Sequence, residues 1–208
     1  MLDLQLRPLK DRLFDPLCAF IPPSVKPLHI TALAFICGLL ACTCAVNGLI
    51  VPSLLLWILN RALDCLDGAL ARYRKTDSQL GGFLDLLCDF IVYASLPIAL
   101  AGGQNGAEGA YRAVSILEET VFINNFILFY VAAVAEKQTS TETKDQVKTK
   151  QLTSLVMRPA LIEGTESAVL FTAMLAFPSQ IESLSLVMAG LVIIGIVQRT
   201  YWTVQVLK

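Results

Sequence analysis

From Pro27 to Asn60 the chain runs for 34 residues without an Asp, Glu, Lys or Arg. A helix that crosses a bilayer needs about 20 mostly apolar residues, because it rises about 1.5 Å per residue through about 30 Å of hydrocarbon. Asn47-Gly48 and Pro52 punctuate the run, so it reads as two helices joined by a tight turn. The second continues past Asn60 into a charged segment that ends near Arg74. Further uncharged runs cover 90–107, 120–135, 167–181 and 183–198, and the shorter ones reach spanning length by taking in flanking polar residues. The pattern predicts six spans, near 29–49, 51–73, 81–101, 114–136, 156–177 and 182–204. A single short apolar run could be a buried helix of a soluble protein, but six of them in 208 residues leave too little polar surface for that.

The first residues follow another pattern. Residues 3–20 mix Leu4, Leu6, Leu13, Phe14 and Leu17 with Arg7, Lys10, Asp11, Arg12 and Asp15. That mixture predicts an amphipathic helix lying along the headgroups, ended by Pro22 and Pro23. No uninterrupted apolar core follows the first charges, so no cleavable signal peptide is expected. Residues 137–151 form the only long hydrophilic loop, and no internal repeat is present. The expected organisation is all-α and polytopic. A single membrane domain covers 1–208, with residues 1–25 as the interfacial helix and 29–204 as a six-helix transmembrane bundle.

Composition sharpens this. Hydrophobic residues make up 55% of the chain and charged residues 16%, with a net charge of -1 and a mean hydropathy of +0.64. An average soluble domain is about one-quarter charged. The balance argues against a disordered or collagen-like chain and against nucleic acid as a partner, which would call for a basic excess. Of the six cysteines, Cys37, Cys42, Cys44 and Cys88 lie in apolar runs and read as small buried thiols. No CxxC pair or Cys/His cluster suggests zinc. Six spans put Arg7, Lys10, Arg12, Lys26, Arg74, Lys75, Lys137, Lys144, Lys148, Lys150 and Lys208 on one side, with little beyond Arg112 opposite. By the positive-inside rule both termini, and the charged end of the second span, are expected to face the cytoplasm.

The residues that cost most in such a chain are Asp64, Asp67, Asp85 and Asp89. A carboxylate at the centre of a membrane helix costs about 2.5–3.5 kcal/mol on insertion scales, so it needs a partner or a polar cavity. Asp64 and Asp67 are three residues apart and Asp85 and Asp89 four apart, so each pair shares one helical face. A short polar loop, Tyr73 to Leu80, makes the two helices antiparallel neighbours, and the four carboxylates can converge near one end. Packed together they repel unless cations neutralise them. All-oxygen ligation suits Mg²⁺ or Mn²⁺. Four aspartates can hold two such ions, an arrangement used on phosphate substrates. Gly68 leaves room for a substrate to approach the backbone, and Arg72, one turn on, can pair with a phosphate.

Residues 64–89 match D-x2-D-G-x2-A-R-x8-G-x3-D-x3-D without a departure. In this the chain resembles the CDP-alcohol phosphatidyltransferases, and the six-span plan with an N-terminal interfacial helix resembles them too. The resemblance implies an enzyme that displaces CMP from a CDP-linked donor with an alcohol, forming a phosphodiester. It implies that Asp64, Asp67, Asp85 and Asp89 ligate two metal ions and that Asp89 is also the general base on the acceptor hydroxyl. It implies that Gly68 and Arg72 contact the CDP pyrophosphate or cytidine, with Ser78 and Thr31 on the nucleotide side. Two positions before Thr31, where the family commonly has Asn, this chain has His29. The short six-span form resembles members whose donor is CDP-diacylglycerol, whose acceptor is a small soluble alcohol, and which form homodimers in the membrane lipid.

Lys137, Arg158 and Arg199 are expected toward the cytoplasmic side. In relatives with phosphorylated acceptors, basic residues in similar places bind the acceptor phosphate, while flanking cations are also ordinary at helix ends. Glu163 and Glu166 open the fifth span, either facing the aspartates as part of an acceptor pocket or hydrogen-bonding between helices. Arg61, three residues before Asp64, is expected to salt-bridge an aspartate or another span's acid in a structural role. Asn124 and Asn125 read as interhelix hydrogen bonders, and Glu118 and Glu119 as facing water. Trp57, Tyr201 and Trp202 read as packing or interfacial anchors, and His29 as interfacial. A CDP-choline or CDP-ethanolamine phosphotransferase acting on diacylglycerol is the second reading, since such enzymes are usually longer. An intramembrane prenyltransferase would carry two separated Asp-rich motifs, and a divalent-cation transporter would place its carboxylates along a pore near the midplane.

Overall fold

A computed structural model describes residues 13–104, 108–140 and 164–207. They are helical almost throughout, with no strand among them. The helices, in chain order, are α1 (13–20), α2 (Pro27–Val46), α3 (Ile50–Arg74), α4 (Gln79–Gly103), α5 (Glu108–Ser140), α6 (Gly164–Ala176) and α7 (Ile181–Leu207), with a 3-10 turn at Pro178–Gln180 before the last. Four described stretches are long and apolar enough to cross a membrane: Pro27–Val46, Gln79–Gly103, Glu108–Val134 and Pro178–Gln205. Helix α3 has the length, at 25 residues, but it carries Arg61, Asp64, Asp67, Arg72 and Arg74. Helix α6 shows 13 residues, and the predicted start of its span at residue 156 lies outside the described residues.

The boundaries follow local chemistry. Helix α1 ends at Phe20, just before Pro22 and Pro23. Helix α2 begins at Pro27, whose missing N–H costs nothing in the first turn. His29 Nδ1 accepts from the Lys26 N–H at 3.3 Å, so the histidine caps the helix start. The predicted tight turn falls at 47–49, where Gly48 has φ +71, a conformation that L side chains rarely adopt. Lys75, also left-handed at φ 54, closes α3. Ser78 opens α4 by accepting the Gly81 N–H at 3.0 Å. Helix α5 begins six residues before the span expected at 114, because a helix can carry the polar Glu108 and Arg112 beyond the apolar stretch.

Helix α2 packs along both α3 and α4, α5 runs beside α7, and α6 bridges to α3 and α4. The main core gathers Trp57, Leu96, Leu100, Leu117, Phe171, Met174 and Met188. Outside it, Phe122, Phe126, Val187 and Val197 point outward, the inverse of a soluble surface and the expected dress of a chain solvated by lipid. Cys37 and Cys42 are buried as expected, but Cys44 and Cys88 are part-exposed, because an apolar run fixes a helix and not which of its faces is packed.

The contact between α2 and its two neighbours is close. A Cβ on Gly38 would lie 2.6 Å from a Val92 methyl and 3.1 Å from the Asn60 amide nitrogen, and one on Gly103 would overlap the Ala45 carbonyl. Ser53 Oγ donates to the Ala41 carbonyl at 2.8 Å and Asn60 Nδ2 to the Ala34 carbonyl at 2.7 Å. Helix α1 is tied to the same frame. Cys18 is buried with Ile30, Ala69 and Leu70, and the Arg74 guanidinium donates to the carbonyls of Ile21, Pro22 and Val25. Gly38→Leu is therefore expected to cost about 1–3 kcal/mol by overpacking. Thermal unfolding in detergent should show it as a lower midpoint, against an unchanged midpoint for a Leu at the open Gly190 position.

Candidate active site

Asp64 and Asp67 sit in the second half of α3, and Asp85 and Asp89 in the first half of α4. The short loop between these helices brings the two pairs together. Asp64, Asp85 and Asp89 line one cleft between α2, α3 and α4, together with Thr31, Ala34, Phe35, Asn60 and Cys88. Asp67 is buried beside it and accepts a hydrogen bond from Thr31 Oγ1 at 2.5 Å. The same hydroxyl lies 3.3 Å from the Pro27 carbonyl, one turn back on α2. The resemblance places Thr31 on the nucleotide side; in this structure its hydroxyl fixes the Asp67 carboxylate.

Arg61 answers part of the negative charge. Its Nη2 donates to Asp89 Oδ1 at 2.6 Å and its Nη1 to Asp89 Oδ2 at 3.2 Å. Nη1 also reaches the Tyr93 hydroxyl at 2.7 Å, Nε reaches Asn60 Oδ1 at 2.7 Å, and Asp64 Oδ2 lies 3.6 Å away. The guanidinium carbon stands 5.0 Å from the Trp57 ring centre and 4.8 Å from that of Tyr93. The sequence led to a salt bridge for Arg61 but not to this aromatic socket. The signal was there: Trp57 is four residues before Arg61 and Tyr93 four after Asp89, so each aromatic shares a helical face with its charged residue.

On the opposite flank, Arg72 folds over Gly68: a Cβ built there would meet Arg72 Nη1 at 3.2 Å. Ser78 is the cap of α4, its hydroxyl on the Gly81 N–H. Arg199 Nη1 donates to Asn124 Oδ1 at 3.3 Å, joining α7 to α5, and Glu166 is half-buried on α6. Of the adjacent acids in the middle of α5, Glu119 is exposed, but Glu118 is half-buried. The Lys137 side chain, Arg158 and Glu163 lie outside the described residues.

The donor set is carboxylate oxygen, which suits a hard divalent cation such as Mg²⁺ or Mn²⁺. Among the described residues no three Asp, Glu, His or Cys side chains stand ready to share one ion. Asp67 is turned to Thr31 and Asp89 to Arg61. The cleft that Asp64, Asp85 and Asp89 line is still open to such an ion in its chemistry, because a carboxylate keeps lone pairs free after accepting one hydrogen bond.

The family is settled by comparison. The model of the CDP-alcohol phosphatidyltransferase family matches residues 25–197, and the chain belongs to that family. It is a transferase of the CDP-alcohol type, with a general role in phosphatidyl transfer. Over 184 residues the chain is 34% identical to "Inner membrane protein YnjF" of Escherichia coli (strain K12), covering 86% of this chain and 84% of that one. It is 33% identical over 138 residues to an "Uncharacterized protein" of Aquifex aeolicus (strain VF5), covering 65% of this chain and 69% of the relative. The apolar helices and the first relative make it a membrane protein.

Thr31→Val removes the hydroxyl that satisfies a buried carboxylate while keeping the shape. It is expected to cost about 1–3 kcal/mol, the desolvation penalty of an unmet buried group. Denaturant unfolding in micelles checks this, with Thr31→Ser expected to restore most of the loss.

Proposed function

We propose that the protein transfers a phosphatidyl group from CDP-diacylglycerol to a small alcohol, releasing CMP. The observation that carries this reading is the cleft where Asp64, Asp85 and Asp89 from two antiparallel helices face one space beside Asp67. The family match over residues 25–197 supports it. The chain would cross the membrane six times, with α3 and the segment containing α6 as the two spans beyond the four that are long and apolar enough. Both termini and the cleft would face the cytoplasm, as the clustering of Lys and Arg supports. The enzyme would work as a homodimer.

Asp64, Asp67, Asp85 and Asp89 would hold two Mg²⁺ or Mn²⁺ ions. Bound there, the ions would supply positive charge to offset that of the pyrophosphate and of the leaving CMP. Gly68 would let the donor come close to the α3 backbone, with the Arg72 guanidinium beside it to pair with a phosphate oxygen. Ser78 and Thr31 would flank the nucleotide. Asp89 would take the proton from the acceptor hydroxyl as its oxygen attacks the lipid-side phosphorus. The phosphorus–oxygen bond to the cytidine-side phosphate breaks, and CMP leaves with that oxygen. Lys137, Arg158 and Arg199 would receive a phosphate on the acceptor if it carries one.

Purified protein in mixed micelles, given CDP-diacylglycerol, Mn²⁺ or Mg²⁺ and a panel of alcohols, is expected to release CMP and form one phospholipid product. EDTA should abolish turnover and either metal restore it. Asp89→Asn should lower turnover by about 10²–10⁴-fold, the usual worth of a general base, while keeping part of the metal binding. Near-normal turnover in Asp89→Asn would remove the base role. CMP release only from CDP-choline or CDP-ethanolamine with diacylglycerol would reassign the donor, and release from no CDP-linked donor would overturn the reading.

A further inference from the structure

We propose that Arg61 is a positioning residue that fixes the Asp89 carboxylate for the transfer, and that its charge opposes divalent-cation binding at that carboxylate. The proposal rests on the reading of Asp89 as base and metal ligand. Every nitrogen of the guanidinium is committed: Nη2 to Asp89 Oδ1 at 2.6 Å, Nη1 to Asp89 Oδ2 at 3.2 Å and to the Tyr93 hydroxyl, Nε to Asn60 Oδ1. Its carbon lies 5.0 Å from the Trp57 ring centre and 4.8 Å from that of Tyr93, two rings that pack against each other at 5.7 Å. Trp57 is in turn fully buried, pinned by its Nε1–H to Thr172 Oγ1 at 2.8 Å and packed edge-on against Phe171. The socket thus reaches from α6 through α3 to a single carboxylate on α4.

Two consequences follow. A planar fork that grips both oxygens fixes the rotation of the carboxylate, which a lysine ammonium cannot do from the same place. A cation held this close to the acidic cleft repels a second cation, the more so where water is scarce. Geometry and charge therefore separate in two substitutions. Arg61→Lys keeps the charge and loses the fork. It should lower kcat by about tenfold or more, with the donor KM and the Mn²⁺ affinity each within about threefold of wild type. Arg61→Met loses both. It should lower kcat further while binding Mn²⁺ about tenfold more tightly.

The experiment pairs Mn²⁺ titration by electron paramagnetic resonance with steady-state CMP release, on the full chain in micelles. Tighter metal binding with slower turnover supports the proposal, because general loss of structure would weaken both. If Arg61→Met is too unstable to purify, Arg61→Gln carries the charge test by the same Mn²⁺ titration, and Arg61→Lys with Tyr93→Phe carry the geometric one. Tyr93→Phe removes one of the fork's anchors and should lower kcat about threefold to tenfold. Full kcat in Arg61→Lys, a loss confined to the donor KM, or weaker Mn²⁺ binding in Arg61→Met overturns it. If the wild type transfers nothing, the functional reading fails while the Mn²⁺ titration still decides whether Arg61 opposes the metal.

Discussion

Four carboxylates and one guanidinium share the space between α2, α3 and α4, and the rest of the site is arranged around keeping them there. Charge removed from water is expensive, and breaking a buried pair by deleting one partner leaves the other uncompensated, at about 3–5 kcal/mol. The pairing of Arg61 with Asp89 joins α3 to α4, and that of Thr31 with Asp67 joins α2 to α3. Each of the three helices is thus held to another by the chemistry that the site itself requires. Arg61 pairs with one of the four acids, and under the proposed reading the charge of the others would favour further cations.

The packing serves the same end. Apolar side chains gain nothing by leaving lipid for a helix interface, so close backbone approach and interhelix hydrogen bonds must do the joining. Gly38 lets α2 lie against Val92 and Asn60, and Gly103 lets the other end of α4 meet Ala45. Asn60 is the hinge between packing and chemistry: its amide nitrogen holds the Ala34 carbonyl and its oxygen receives Arg61 Nε. Arg74, which gathers three carbonyls after α1, fixes the turn between α1 and α2 against the end of α3 that bears the acids.

Much of this was legible in the chain. The uncharged run 27–60 with Asn47-Gly48 gave α2 and the start of α3, because backbone hydrogen bonding in lipid leaves little choice but helix. The spacing of Asp64, Asp67, Asp85 and Asp89 carried the cluster, since helical periodicity and a short loop fix which side chains meet. What was not legible depended on packing. Hydropathy alone does not say which face of α2 turns to α3, so the bond from Thr31 to Asp67 could not be read, nor the exposure of Cys44. Arg61 could be foreseen as a salt-bridge partner from its place one turn before Asp64. Its choice of Asp89 on the next helix, beside two packed aromatic rings, needed the register of α3 against α4. Helix ends also ran past the apolar stretches, as at α5, because hydropathy marks the part that lipid solvates and not the part that is helical.

The family gives the class of reaction, and the geometry brings together the acidic residues proposed to carry it. Arg61 pairs with the carboxylate proposed as metal ligand and base, so under that proposal it belongs to both the fold and the chemistry. The most direct measurement is anomalous scattering from crystals of the protein grown with Mn²⁺ and a CDP-linked nucleotide. The account predicts two manganese peaks in the cleft, bounded by Asp64, Asp67, Asp85 and Asp89, with the nucleotide phosphates against them. A cleft without manganese, or metal bound elsewhere with the aspartates turned away from it, would contradict it.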